Sequence, residues 1–310
     1  MILNNSINSP LLYSTNHISL VDESFNSFLE EYQLKTEEVL LEGSGTVILK
    51  ALASIIKTFT KLLAKAIEFY NKAKEYIINF FKDIKNKVKE QQIKDAALKN
   101  FKPFEVQMRE YNDNYGQVFD YIKKWSNNFS RISSGLYRNA QVVARNQAEV
   151  EATQAMEAEL KEIDKNVFNV EKADTATINE LLEKTFYKDP EKKTIKIDTN
   201  IASKFSRTLS KDESNLNKIN SVTSNVTKLG NETKSNFDKL NSLIPKGADG
   251  KQAATVLGAN TMRVFNVLIK KTDSVSSIIL NACAKATKMY IEKINAQRNI
   301  LNKISNMKEK

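Results

Sequence analysis

The chain has 310 residues and a net charge of +10, with 47 Lys and Arg against 37 Asp and Glu. Its single cysteine excludes an intrachain disulfide, and only 8 Gly and 4 Pro leave long windows without a helix breaker, which favours helices over a sheet. We expect no membrane-spanning helix, because no run of about 18 apolar residues is present. The N-terminus lacks the basic and apolar regions of a secretory signal, so a protein made in a reducing cytoplasm is expected.

Residues 1–42 form an acidic leader. They hold seven acidic residues and one lysine, a net charge of −6, so the rest of the chain carries +16. Apolar residues at Phe25, Phe28, Leu29 and Tyr32 are spaced as in a helix. A Gly43-Ser44-Gly45 break follows, and it separates this leader from a basic body.

A long amphipathic helix is predicted from Val47 onward. One apolar stripe steps by three or four residues through Ile48, Leu52, Ile55, Phe59, Leu62, Ala66, Phe69, Ala73, Ile77, Phe80, Ile84 and Val88. Residues 43–100 hold twelve lysines against five acidic residues. The lysines that we expect to face a polyanion are Lys57, Lys61, Lys65, Lys72, Lys82, Lys85 and Lys89.

A second apolar stripe begins directly after Pro103, which ends or kinks the first helix. Its members alternate spacings of four and three, a heptad-like pattern: Phe104, Met108, Tyr111, Tyr115, Val118, Ile122, Trp125, Phe129, Ile132 and Leu136. The pattern predicts helix from Phe104 onward, continuing to about Val167. Residues 43–168 are therefore interpreted as a basic region of long helices.

The remaining chain divides into an irregular region, residues 169–212, and a C-terminal helical pair, residues 213–310. In the irregular region we predict a helix from Ile178 to Phe186 after Asp174 or Thr175, then a turn at Asp189-Pro190. Residues 194–198 alternate like a strand but have no evident partner, and Thr199 is a candidate cap for another short helix. The C-terminal pair is predicted from apolar stripes over residues 216–243 and 252–304.

The predicted fold class is all-α, an elongated bundle of long helices with coiled-coil-like seams. Nothing in the composition predicts an enzyme. His17 is the only histidine, so no His/Cys cluster for zinc can form, and acidic pairs such as Glu180 and Glu183 lie on polar helix faces. We therefore expect no catalytic residue, no cofactor and no metal site, and Cys283 is expected to be a buried structural thiol.

The basic stripe of the first helix has three interpretations. It can be a solvated face over a packed core, a polyanion-binding surface that neutralises phosphates without reading sequence, or an interfacial helix on a membrane. The aromatic residues follow the apolar stripe and are not interleaved with the lysines, which argues against base stacking.

One short motif, Leu40-Leu41-Glu42-Gly43, lies at the charge break. It resembles the site that prohead proteases of large tailed phages cut: Leu or Ile, any residue, Glu, then a small residue. Other matches to the first three positions, for example those followed by Tyr32 and by Lys184, lack the small fourth residue, so only Leu40, Glu42 and Gly43 complete the pattern. The motif sits in a Gly/Ser segment, where a protease can reach extended backbone.

The resemblance extends to the order of an acidic leader and a basic helical body, which is similar to internal head proteins of such phages. It implies a non-enzymatic structural protein of the virion interior, made in the host cytoplasm, with a leader removed after Glu42. The implied partners are other virion proteins, packaged DNA bound without sequence specificity, and further copies of the same chain. Two alternatives stay open: a membrane-active helical protein that forms pores or binds peripherally, and a coiled-coil scaffold.

Overall fold

The computed structural model describes residues 45–91, 101–145, 150–243 and 259–306. This part of the chain is mostly helical and contains a small two-stranded sheet. In chain order the elements are α1 (Gly45–Gln91), β1 (Phe104–Tyr111), α2 (Gln117–Arg145), α3 (Val150–Lys161), α4 (Ile163–Phe168), α5 (Thr175–Phe186), β2 (Tyr187–Ile197), α6 (Thr199–Ser242) and α7 (Ala259–Asn306). The predicted helical character is confirmed, whereas the all-α class was incomplete because of the sheet.

The long helices α1, α2, α6 and α7 pack on one another, and their apolar stripes form one core. In α1 the described stripe members are no more than 1% exposed: Phe59, Leu62, Ala66, Phe69, Ala73, Ile77 and Phe80. The ring of Phe59 meets that of Phe237 on α6 edge to face, with centroids 5.7 Å apart. Burial of these stripes therefore confirms the helical periodicity read from the sequence.

A glycine of α6 leaves room for a side chain of α1. A Cβ atom at Gly230 would lie 2.2 Å from Leu63 Cδ1. Any side chain there would push the two helices apart or displace Leu63. The helix thus carries a residue with poor helix propensity because packing against α1 requires it.

The sheet corrects the prediction for residues 104–111, which form strand β1 and not the start of a helix. β1 pairs antiparallel with β2, so that Phe104 lies opposite Ile197 and Val106 opposite Ile195. Every second side chain of β1 then turns to the same face. That face contributes Met108 to a small apolar cluster with Ile197 of β2 and Ile300 of α7.

The strand-like alternation of residues 194–197 is confirmed, and its partner is a segment more than 80 residues earlier in the chain. The predicted turn at Asp189-Pro190 is wrong, because both residues lie within β2. The register shifts at Glu110, which pairs with Asp189, and the Asp189 side chain accepts a hydrogen bond from the backbone N–H of Glu191 at 2.9 Å. The Asp189 side chain thus makes a hydrogen bond that is typical of a turn. Here it lies within β2, where the pairing with β1 is irregular.

Two N-caps define the helices that flank β2. Asp174 accepts a hydrogen bond from the Thr177 backbone N–H at 2.7 Å, as predicted for the start of α5. Asp198 accepts from the Ile201 N–H at 2.8 Å and starts α6, one residue before the predicted cap. The short helix expected there and the apolar stripe from Leu216 belong to this single helix of 44 residues.

Candidate polyanion-binding surface and buried charge cluster

Four of the seven candidate lysines are exposed on α1: Lys57, Lys61, Lys65 and Lys82. Lys72 is half-buried and forms an ion pair with Glu68, with 2.9 Å between Nζ and Oε1. Lys85 and Lys89 lie within α1, but their side chains fall outside the described residues. The predicted processing residues Leu40, Glu42 and Gly43 also lie outside the described residues.

Lys57, Lys61 and Lys65 form a row that we call the basic face. They are spaced by four residues, so a rise of 1.5 Å per residue separates them by about 6 Å along α1. No ion pair joins any of the three to another residue in the described part of the chain. The opposite side of the same turns is the buried stripe that contains Leu62 and Ala66. Packing of that stripe holds the three ammonium groups toward solvent.

Acidic residues interrupt the lysines further along α1. Glu68 and Glu75 are both exposed, and Glu68 already engages Lys72. The positive charge density on the described surface of α1 is therefore greatest at the basic face. A polyanion would meet a diffuse field there and no base-specific geometry, because lysine acts as a point charge.

A second charged group lies inside the bundle and was not predicted. Asp212 of α6 is 0% exposed and Lys293 of α7 is 4% exposed. The Lys293 ammonium donates to both carboxylate oxygens of Asp212, at 2.7 and 2.8 Å. Gln297 Nε2 donates to Oδ2 at 2.7 Å, and the Tyr115 hydroxyl donates to Oδ1. We call these four residues the buried charge cluster.

Aromatic residues enclose this cluster. The Lys293 ammonium lies 4.6 Å from the centroid of the Tyr115 ring, within cation–π range. Tyr290 donates its hydroxyl to the Asp212 backbone carbonyl at 2.5 Å. Burial and the nearby Asp212 carboxylate raise the pKa of Tyr115 and of Tyr290 well above the usual tyrosine value. Both phenols therefore stay protonated and act as hydrogen-bond donors.

The buried charge cluster joins α6 and α7 to the segment just before α2. Its carboxylate accepts four hydrogen bonds, which fills its acceptor capacity. Asp212 and Lys293 are buried. We therefore interpret their interaction as structural. One signal for it was available in the sequence: Lys293 follows Tyr290 by three residues and precedes Gln297 by four on the apolar side of α7. Asp212 carried no such signal in the sequence, because its neighbours in α6 are mostly polar.

Cys283 is buried on α7, as predicted. Burial raises the pKa of its thiol to about 12, so the thiolate is scarce at neutral pH and the residue is inert as a nucleophile. Among the described residues, no group of three His, Cys, Asp or Glu side chains is placed to hold a metal ion. None of the described helices contains a stretch long and apolar enough to cross a bilayer.

The fold and these two charged features define a mostly helical protein with a small antiparallel sheet of two strands. Comparisons with protein-family models, with curated proteins and with solved structures found no match to this chain. The case for its function therefore depends on its own residues.

Proposed function

We propose that this chain is a non-enzymatic structural protein of a tailed-phage particle, located inside the head, whose basic body faces packaged DNA or acidic partner proteins. In this proposal residues 1–42 are a leader that is clipped after Glu42 during maturation. The body is an elongated bundle with coiled-coil-like seams and assembles with other virion proteins and with further copies of itself.

The observation that carries the proposal is the division of α1 into a basic face and a buried stripe. Lys57, Lys61 and Lys65 are exposed, whereas Phe59 and Leu62 are 0% exposed. A membrane-surface helix would need that apolar stripe for lipid, but here it packs on α6 and α7. The arrangement therefore favours a polyanion partner over a membrane.

The first test measures DNA binding by the full-length protein at several salt concentrations. We expect affinity to be independent of sequence and to fall steeply as salt rises, because each neutralised phosphate releases counterions. Replacing Lys57, Lys61 and Lys65 together by Gln should reduce the slope of log K against log salt by about 2 to 3, at about 0.9 per phosphate contact.

The matched control is the triple Gln variant of Lys188, Lys192 and Lys196, three exposed lysines of β2. It removes the same charge but leaves the basic face, so we expect the slope to stay near that of the unmodified protein. Equal slopes for both triple variants would assign binding to net charge alone. Retention that does not respond to salt, or no retention at low salt, would argue against the phosphate-binding role and favour the scaffold.

The second test is the N-terminus of the protein isolated from mature particles. Cleavage between Glu42 and Gly43 would remove a net charge of −6 and leave +16, so attraction for polyanions should increase. We expect mass spectrometry to find Gly43 as the first residue. Glu42→Gln keeps the side-chain shape without the charge and should leave the leader attached, whereas Glu38→Gln should be processed normally. A mature protein that begins at any other residue would refute the processing step.

A further inference from the structure

The outer face of α2 carries positive charge that the proposed DNA contact on α1 does not use. Residues 121–148 hold five basic residues and no acidic residue. Within α2, Lys124, Arg131 and Arg138 are exposed and follow one another at intervals of seven residues. Seven residues are close to two helical turns, so the three side chains lie in one line, about 10 Å apart along the axis. We call these three residues the α2 row.

In the described part of the chain, no acidic side chain forms an ion pair with the α2 row. Asp120, the one acidic residue of α2, is paired with Lys218 of α6, with 2.6 Å between Oδ2 and Nζ. Glu232 of α6 accepts a hydrogen bond from Ser130 and lies 3.7 Å from the Lys228 ammonium. The positive charge of the row is therefore not compensated within the described bundle.

Helix packing places the α2 row on the side of the bundle away from the basic face. The helices α1 and α2 each pack on both α6 and α7, which also pack on each other. They do so at the same level of α6, where the ring of Phe237 contacts Phe59 of α1 and Tyr137 of α2. The pair α6 and α7 thus lies between α1 and α2. Because the α2 row is opposite the buried stripe that contains Ile122 and Phe129, it faces outward on the far side.

From this placement we propose that the α2 row is a second DNA-binding surface, which contacts the phosphate backbone without reading base sequence. Arginine suits this role because its planar guanidinium holds a phosphate through two parallel hydrogen bonds. Between Lys124 and Arg138, the exposed positions Asn127 and Ser134 are polar, so the row lacks the apolar centre that a protein partner would bury.

Two DNA-binding surfaces that face opposite ways allow one molecule to bridge two DNA segments. One segment lies on the basic face of α1 and the other on the α2 row. Bridging rests on the proposed function, because it needs DNA bound at the basic face, whereas binding at the α2 row alone does not.

The first test counts the DNA molecules that the full-length protein binds. Isothermal calorimetry at low salt uses duplexes of about 12 base pairs, roughly 40 Å long. We expect two duplexes per unmodified chain, and one per chain in the variant Lys124→Gln/Arg131→Gln/Arg138→Gln. Circular dichroism melts check that each variant keeps the fold.

Three further variants separate the α2 row from the basic face and from net charge. The triple Gln variant of the three β2 lysines removes the same charge and should still bind two duplexes. Arg131→Lys/Arg138→Lys should also bind two, because lysine neutralises a phosphate as a point charge. The triple Gln variant of the basic face should keep one duplex, bound at the α2 row.

The duplex counts distinguish the failure of this inference from that of the proposed function. An α2-row variant that binds as many duplexes as the unmodified chain would overturn the inference, whatever the basic-face variant does. If the basic-face variant keeps the unmodified count while the α2-row variant loses a duplex, the α2 row stands and the proposed contact on α1 fails.

The second test measures bridging and the choice of polyanion. DNA fixed to beads is loaded with protein and then offered a labelled duplex. We expect the unmodified protein and the β2 variant to capture the labelled duplex, and the α2-row variant to remain on the beads but lose this capture. Undiminished capture by the α2-row variant would refute bridging through α2. Loss of polyglutamate binding in that variant, with an unchanged duplex count, would assign the row to an acidic protein and overturn the proposal.

Discussion

Lys293→Met is expected to lower the free energy of unfolding by about 3–5 kcal/mol, the usual cost of leaving one partner of a buried ion pair uncompensated. In the native protein the Lys293 ammonium holds both carboxylate oxygens of Asp212 at 2.7 and 2.8 Å. Methionine has a similar length and no charge, so Asp212 would keep its hydrogen bonds from Tyr115 and Gln297 but lose the cation bound to both of its carboxylate oxygens. Urea denaturation followed by circular dichroism measures the loss.

Two further variants separate charge compensation from packing. Asp212→Asn/Lys293→Met removes both charges, and its cost should fall short of the sum of the two single costs by about 1 kcal/mol or more. Lys61→Met removes an exposed lysine and should change stability by no more than about 0.5 kcal/mol. Additive losses in the double variant, or a loss for Lys293→Met no larger than for Lys61→Met, would show that the buried charge cluster is not energetically coupled.

Trp125→Ala is expected to cost about 3–5 kcal/mol, because it opens a cavity where α2 packs on α4. Trp125 is 4% exposed. Its ring stacks on Tyr121 with centroids 6.0 Å apart and meets Phe168 edge to face at 5.4 Å. Replacement removes the stabilisation from both ring contacts together with the burial of the indole.

The measurement for Trp125→Ala is again urea denaturation by circular dichroism, since Trp125 is the only tryptophan and its fluorescence is lost with it. Trp125→Phe keeps an aromatic ring and should cost distinctly less than the alanine variant. Lys124→Ala, at the exposed neighbouring position, should be close to neutral. An unchanged denaturation midpoint in Trp125→Ala would contradict the packing of this seam.

The failure of the helix prediction at residues 104–111 has a specific cause. Phe104, Met108 and Tyr111 have helical spacing, yet Phe104, Val106 and Met108 also alternate like a strand, so a short apolar segment fits both periods. The choice depends on β2, whose residues Tyr187–Ile197 provide the backbone hydrogen bonds. A partner so distant in sequence leaves no signal within the segment itself.

The start of α5, the helix that precedes β2, was predicted more reliably than strand β1, because a capping side chain marks it. Asp174 caps α5 in the structure as its position before an apolar run had indicated. The capping interaction spans three residues, so the information lies within a few positions of sequence. The same holds for the stripes of α1 and α2, because helical periodicity alone decides which face is apolar.

The sequence by itself thus determined the long helices, their buried faces and the exposure of Lys57, Lys61 and Lys65, since these follow from local periodicity. Tertiary structure alone decided the pairing of β1 with β2 and the buried charge cluster. Each of them unites residues from distant elements, such as Asp212 with Lys293. An aspartate in a polar run is ordinarily solvated, and only the packing of α6 on α7 removes it from water and makes a compensating cation necessary.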